Sequence, residues 1–272
     1  MKLKDEYTQL LSMYRHRWNL KDNGDPMVTH SSVLQPMVWD GNNVILKIAL
    51  INEEKQGNQL MVQWNGHGAA KVFLHDDNSI LLEQLSGETA LFQMAQNGED
   101  DQATKILCDV ARHLHSVESS ANLVLSPLKQ WFNELFKAEE KDKALFSESA
   151  SIARNLLESQ INSTVLHGDL HHQNVLYSKE KGWLAIDPKG LYGENAYEFA
   201  NLFCNPDHHV ALIPGRLERQ LDIVCNQTGI DRDRMLQWIV AYSALSASWS
   251  IQDGMDAALA LSINAQALKL LS

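Results

Sequence analysis

His167-Gly168-Asp169-Leu170-His171-His172-Gln173-Asn174 is followed by Trp183-Leu184-Ala185-Ile186-Asp187-Pro188, and these two runs decide the fold. Thr164-Val165-Leu166 precedes the first run and Val175-Leu176-Tyr177 follows it. The implied order is strand, polar loop, strand, turn, strand, acid. Asn174 comes five positions after Asp169, so one loop can present both side chains to one site. Asp187, thirteen positions further on and beyond a hairpin, can meet Asn174 from the neighbouring strand end. Phosphoryl transfer from ATP needs a carboxylate that orients the attacking hydroxyl and accepts its proton, and it needs oxygen ligands for magnesium. Magnesium takes hard oxygen donors and keeps several waters, so one carboxylate and one amide suffice. The expected roles are therefore Asp169 as catalytic base, with Asn174 and Asp187 as Mg2+ ligands.

Asn and Asp are also common in turns for local hydrogen-bonding reasons. What favours the chemical reading is the ordered set of loop, flanking apolar strands and later Ile-Asp. The pattern Asp-Leu-x-x-x-Asn matches a kinase catalytic loop, and Ile-Asp-Pro stands where Asp-Phe-Gly would be. A lysine should then lie upstream. Lys47 sits within Val44-Ile45-Leu46-Lys47-Ile48-Ala49-Leu50-Ile51. A lysine inside an apolar strand is costly to bury without a partner. Either it lies at a sheet edge and snorkels to water, or it points into a cleft at the ATP phosphates, held by a helical carboxylate. Glu54 is the expected partner, with Glu53 as the alternative.

Working outward, Leu3, Tyr7, Leu10, Leu11, Tyr14 and Trp18 have helical spacing, and Asp25-Pro26 reads as a turn. Residues 32–50 read as two strands around Trp39-Asp40-Gly41-Asn42-Asn43, a hairpin signal. A helix is expected from Glu53 to Trp64, then strands Ala70–Leu74 and Ser79–Leu85. Beyond Gly87 helical stripes dominate: Ile106, Val110, Leu114 and Val117, then Leu128, Trp131, Phe132, Leu135 and Phe136. Arg234 to Leu271 suggests two helices separated near Asp253-Gly254. The expected fold class is α+β with two lobes: a β-rich ATP-binding lobe over residues 1–85 and a mostly helical catalytic and substrate-binding lobe over residues 86–272. A ligand belongs in the cleft between them.

The 272 residues carry a formal net charge of -11, which disfavours a nucleic-acid partner and suits a neutral or cationic small molecule. Three cysteines, Cys108, Cys204 and Cys225, form no CxxC pair, which argues against a disulfide framework or structural zinc. The charged first seventeen residues lack an apolar signal core, and Val44–Ile51 is too short to span a bilayer. A cytoplasmic protein without a membrane partner is expected.

The chain resembles the aminoglycoside phosphotransferase group of the protein-kinase-like fold, and within it the streptomycin 6-phosphotransferases and hydroxyurea-resistance kinases. The stretches that carry the resemblance run through most of the chain. They are Val44-Ile45-Leu46-Lys47, Glu54-Lys55-Gln56-Gly57, Trp64-Asn65-Gly66-His67-Gly68-Ala69, Leu81 to Glu88, His167 to Asn174, and Gly182 to Glu194. The resemblance implies that Asp169 is the base, that Asn174 and Asp187 hold magnesium, and that Lys47 paired with Glu54 contacts the ATP phosphates. It implies a hinge at Glu83 to Leu85 that offers backbone groups to adenine. Ser31 and Ser32 stand in place of a glycine-rich loop and are expected to cover the phosphates. The segment between Lys47 and Glu54 is short for the family, and Glu198 stands where many relatives have Asp. Asp207, Asp253 and Asp256 are candidate contacts for guanidinium or ammonium groups of a streptomycin-like acceptor. An alternative within this reading is a metabolic kinase with another acceptor.

Two further readings compete. His167, Asp169, His171 and His172 crowd one loop, and with His208-His209 downstream they could build a zinc hydrolase. A non-catalytic kinase-like binding module would be expected to lose the lysine, the base or the metal acid, and all three are present.

Overall fold

The computed structural model describes residues 4–85, 90–118 and 123–272. Leu3 of the first helical stripe, and Ser86, Gly87 and Glu88 of the hinge signature, lie outside the described residues. Helix α1 (Asp5–Trp18) leads into strands β1 (Lys21–Asp22), β2 (Met27–Val28), β3 (Ser32–Trp39) and β4 (Asn42–Ala49). Helix α2 (Asn52–Trp64), β5 (Val72–His75) and β6 (Ser79–Glu83) follow. The strands form one antiparallel sheet in the order β1-β3-β4-β6-β5, with β2 also on β3. The hairpin expected at Asp40-Gly41 is present. Trp39 faces Asn42, and the two turn residues have φ 47° and 78°, as a two-residue turn matched to strand twist requires.

Alternation along β4 gives the sheet two different faces. Val44, Leu46 and Ile48 pack with Val33, Met37 and Leu81 against Leu11 and Tyr14 of α1. Lys47 therefore faces the opposite side, toward α2.

The second part contains α3 (Leu91–Met94), α4 (Asp100–His115), β7 (Ser126–Pro127), α5 (Leu128–Trp131), α6 (Asn133–Lys141) and α7 (Lys143–Glu158). Next come β8 (Ser163–Leu166), β9 (Val175–Ser178), β10 (Gly182–Ala185) and β11 (Leu191–Glu194). The chain ends with α8 (Tyr197–Ala200), α9 (His208–Ala211), α10 (Arg216–Thr228), α11 (Arg232–Gln252) and α12 (Ala258–Leu271). Helix α11 buries residues on every face, among them Met235, Trp238, Ile239 and Leu245, and so forms the middle of the helical part. The break expected near Asp253-Gly254 separates α11 from α12.

The expected boundary at 85–86 lies between β6 and α3, yet the apolar core does not divide there. Leu60, Met61 and Trp64 of α2, with Ile80 and Leu82 of β6, belong to the same buried cluster as the helical part. Backbone bonds Ala70 N to Ala185 O and Ala185 N to Gly68 O, both 2.9 Å, tie the segment after α2 to β10. Among the described residues, no helix is long and apolar enough to cross a membrane.

Candidate active site

The polar loop between β8 and β9 is held by a buried carboxylate. Glu198 on α8 accepts the N–H of His167 at 2.7 Å and that of Gly168 at 2.9 Å, with His115 Nε2 3.2 Å away. The longer Glu side chain thus reaches two loop amides from a short helix. Asp169 N–H donates to His167 Nδ1 at 3.2 Å, so the proton sits on Nε2, which donates to Ile186 O at 2.8 Å. Burial pushes the His167 pKa down and keeps the ring neutral. Gly168 has φ +83°, and a Cβ there would lie 2.7 Å from Leu191. Only glycine fits this turn.

Asp169 is gripped from two sides. Asn201 Nδ2 donates to Oδ1 at 2.9 Å, and Asn174 Nδ2 donates to the Asp169 carbonyl at 2.9 Å and to Oδ2 at 3.3 Å. Asn201 is itself set by Tyr242, whose hydroxyl donates to Asn201 Oδ1 at 2.6 Å. Burial raises the Asp169 pKa above its ordinary value, against the pull of His171 and Lys189. Sequence reasoning missed Asn201. Its only sequence signal is an amide in the otherwise apolar run Phe199-Ala200-Asn201-Leu202-Phe203.

Lys47 is buried and its ammonium contacts both Glu54 of α2 and Asp187. Of the two sequence alternatives, the inward one describes the molecule. The short Lys47–Glu54 segment suffices because β4 ends at Ala49 and α2 begins at Asn52. Close approach of α2 helps: a Cβ on Gly57 would lie 2.0 Å from the Pro188 carbonyl oxygen. Burial alone would raise the Asp187 pKa, but the charge and hydrogen bond of Lys47 outweigh it and hold the carboxyl below its usual range. Asp187 also adopts φ 61°, a strained conformation for a non-glycine residue.

Asn174 and Asp187 stand on adjoining strand ends, since Ile186 N–H donates to Asn174 O at 2.9 Å. The Asn174 amide nitrogen faces Asp169, which turns its oxygen away from Asp169. One carboxylate and one amide oxygen fit a magnesium ion as donors.

The remaining expected nucleotide contacts are placed differently. Ser31 Oγ donates to Glu54 Oε1 at 2.9 Å. Ser32 is buried, with its hydroxyl 3.1 Å from Thr29 Oγ1, so its side chain serves the β2–β3 turn. The Glu83 carboxylate accepts Lys181 Nζ at 2.9 Å and Lys71 N–H at 2.6 Å, which leaves only its backbone for a hinge role. Glu83 N–H donates to Lys71 O and Gln84 N–H to Asn43 O. The N–H of Leu85 is thus the first in the hinge without a backbone acceptor among the described residues.

A cavity of about 550 Å³ between α2 and the β5–β6 hairpin contains none of these groups. Asp169 instead opens onto one of about 700 Å³, walled by Glu53, Trp131, Glu134, Trp249 and Asp253. Lys189 and Tyr242 also line it. Trp131 and Trp249 meet edge to face with centroids 5.5 Å apart. Of the three acids expected to meet the acceptor, only Asp253 lies here. Asp207 caps α9 through Val210 N–H at 3.0 Å and accepts Gln96 Nε2 at 3.0 Å. Asp256 accepts Ala258 N–H at 2.9 Å at the start of α12. Those two carboxylates are engaged in local structure outside the cavity. In the sequence Trp131 reads only as part of a helical stripe and Lys189 only as part of the Gly182 to Glu194 stretch, and nothing local distinguishes Glu134 and Trp249 from other helix residues.

The zinc alternative fails on placement. His167 Nε2 is taken by the Ile186 carbonyl at 2.8 Å, and His172 occupies a buried site 3.7 Å from Asp100. His208 and His209 lie against each other on α9, ring centroids 3.8 Å apart and tilted by 38°. Among the described residues, no group of three or more His, Cys, Asp or Glu side chains is placed to hold a metal ion.

Residues 17–254 match the family model described as aminoglycoside/hydroxyurea antibiotic resistance kinase. The chain belongs to this family. The kinase is 44% identical over 264 residues to the streptomycin 3''-kinase of Klebsiella pneumoniae, covering 94% of this chain and 99% of the relative. It is 28% identical to the streptomycin 6-kinase of Streptomyces griseus, over 89% of this chain and 82% of that one. Among solved structures, the apo form of a thermostable mutant of aminoglycoside phosphotransferase APH(4)-Ia superposes with a TM-score of 0.67 at 12% identity, covering 95% of this chain and 98% of the other. Choline kinase LicA from Streptococcus pneumoniae gives 0.63 at 15% identity, covering 98% and 99%. At such identities the two structures establish the protein-kinase-like fold.

Proposed function

We propose that the kinase transfers the γ-phosphoryl group of ATP to a hydroxyl of streptomycin or a close aminoglycoside relative, and so confers resistance to it. The observation that carries this reading is the cavity that joins Asp169 to Glu134, Asp253, Trp131 and Trp249. Streptomycin is a polyhydroxylated sugar bearing guanidinium and ammonium groups. Carboxylates pair with such cations, and indole faces attract them. The 44% identity to a streptomycin 3''-kinase supports the 3''-hydroxyl as the acceptor, ahead of the 6-hydroxyl.

Asp169, oriented by Asn201 and Asn174, takes the proton of the acceptor hydroxyl as its oxygen attacks the γ-phosphorus and the bond to ADP breaks. Lys47, braced by Glu54, neutralises phosphate charge. Asn174 and Asp187 would hold magnesium, which supplies further charge neutralisation when bound. The backbone at Leu85 receives adenine, and the Ser31 turn lies over the phosphates. Most of the rate comes from positioning and charge neutralisation.

The test is incubation of the purified kinase with ATP, Mg2+ and streptomycin, with mass analysis for one added phosphoryl group and NMR to locate it. Absence of streptomycin-dependent ATP consumption would sink the substrate assignment. Phosphate found on another hydroxyl would overturn the 3'' position alone.

A further inference from the structure

We infer that Lys189 is a catalytic residue of the transfer, donating a hydrogen bond to the γ-phosphoryl group as it passes to the acceptor, and that Glu53 positions it. The inference rests on the proposed kinase reaction and adds a second cation to it. Lys189 is built into the same backbone as the base. Its N–H donates to His167 O at 2.7 Å, and its Cβ lies 3.3 Å from where a Cβ on Gly168 would stand. Its side chain is largely buried and lines the cavity onto which Asp169 opens. Its ammonium stands 3.2 Å from Glu53 Oε1, which also lines that cavity, and Asp169 acts on it electrostatically.

Lys47 does not supply this function from its side of the site. That ammonium is enclosed between Glu54 and Asp187. Lys189 approaches from the acceptor side, next to the carboxylate that takes the hydroxyl proton. Charge spreads over the equatorial oxygens of a transferring phosphoryl group, so a fixed ammonium there lowers the barrier. The atoms balance without it. The acceptor oxygen bonds to phosphorus, the bond from phosphorus to the ADP oxygen breaks, the proton goes to Asp169, and Lys189 stays protonated throughout. Glu53 comes from α2, in the sheet-bearing part of the chain, so its pairing with Lys189 also links that part to the base.

The experiment compares Lys189→Ala, Lys189→Arg, Glu53→Ala and the Lys189→Ala/Glu53→Ala double variant in steady-state streptomycin phosphorylation, with and without added small primary amines. Lys189→Ala should lower kcat by about 10²–10³-fold, the usual cost of removing one transition-state donor. The KM for ATP and the thermal midpoint should change little. Added methylammonium should restore part of kcat, and Lys189→Arg should retain more rate than Lys189→Ala. Glu53→Ala should lower kcat alone and add nothing in the Lys189→Ala background, since a residue acting through another is not additive with it. An unchanged kcat in Lys189→Ala, or a loss that amines do not restore in a normally folded variant, overturns the catalytic role. Full additivity of Glu53→Ala overturns its positioning role. Wild-type protein with no streptomycin-dependent turnover would instead remove the reaction on which the inference rests.

Discussion

Asn201 and Asp169, thirty-two positions apart, meet through a 2.9 Å hydrogen bond from amide nitrogen to carboxylate oxygen. The bond fixes the direction in which the free lone pairs of Asp169 point. Asp169→Ala should lower turnover about 10²–10⁴-fold, the range for a positioned base, with ATP affinity nearly intact. Asn201→Ala keeps the carboxylate but frees its rotation, so it should lose less, about tenfold or more in kcat. Single-turnover kinetics on both variants check the ranking. A wild-type rate for Asp169→Ala removes it from the role of base.

The contact between Lys47 and Asp187 sets the second expectation. Asp187→Ala should weaken Mg-ATP binding and leave binding of metal-free nucleotide less affected. It also deprives a buried ammonium of one of its two carboxylates, but Glu54 remains and the Asp187 side chain is 44% exposed, so the loss of stability should be about 1 kcal/mol. Calorimetry with and without Mg2+ separates the two effects. Identical Mg-ATP affinity would mean that Asp187 holds no metal.

Asp169 must be ionised to accept a proton. Burial raises its pKa, so activity is present above that raised value and falls as pH drops through it. The acid limb of the kcat/KM profile for streptomycin should therefore lie above the ordinary aspartate value of about 4. A limb at or below that value would contradict the burial argument.

Gly57 allows α2 to touch the segment that carries Asp187. Gly57→Ala improves helix propensity by about 1 kcal/mol, but its methyl would sit 2.0 Å from the Pro188 oxygen. The helix must then move, at a cost of about 1–3 kcal/mol. Displacing α2 also draws Glu54 from Lys47. Thermal denaturation should show a lower midpoint and kinetics a raised KM for ATP, whereas a stabilised, fully active variant would refute the contact.

Behind the catalytic loop, Asp100 accepts Arg216 Nε at 2.7 Å and Gln220 Nε2 at 2.8 Å, with His172 at 3.7 Å. Burial opposes ionisation, but His172 and Arg216 outweigh it and hold the Asp100 pKa at about 2. A depressed carboxylate adds stability that is complete above its unfolded pKa of about 4 and is lost as pH falls toward about 2, roughly 2 kcal/mol in all. Asp100→Asn should abolish this part of the acid dependence. It should also cost about 3–5 kcal/mol at neutral pH by leaving Arg216 buried with an uncompensated charge. Urea denaturation from neutral pH down through that window tests both.

Local sequence determined the hairpin at Asp40-Gly41, the placing of Asp169 and Asn174 on one loop, and the placing of Asp187 at the end of the next strand; it offered Lys47 two environments and two partners, and packing of α2 against β4 chose Glu54. The first three depend on short-range order: strand alternation, turn residues, and groups separated by one loop or one hairpin. Ser32, Asp207 and Asp256 are engaged in a turn or at a helix end, because a polar side chain can satisfy such a site as readily as a ligand, and its identity does not say which. Asp253 was already a candidate in the sequence, but its grouping with Glu53, Trp131, Glu134, Lys189 and Trp249 beside Asp169 came only when α2, α5, α6 and α11 packed around the loop. Helix periodicity tells which side of a helix is buried, but what that side faces is set by packing between elements far apart in the chain.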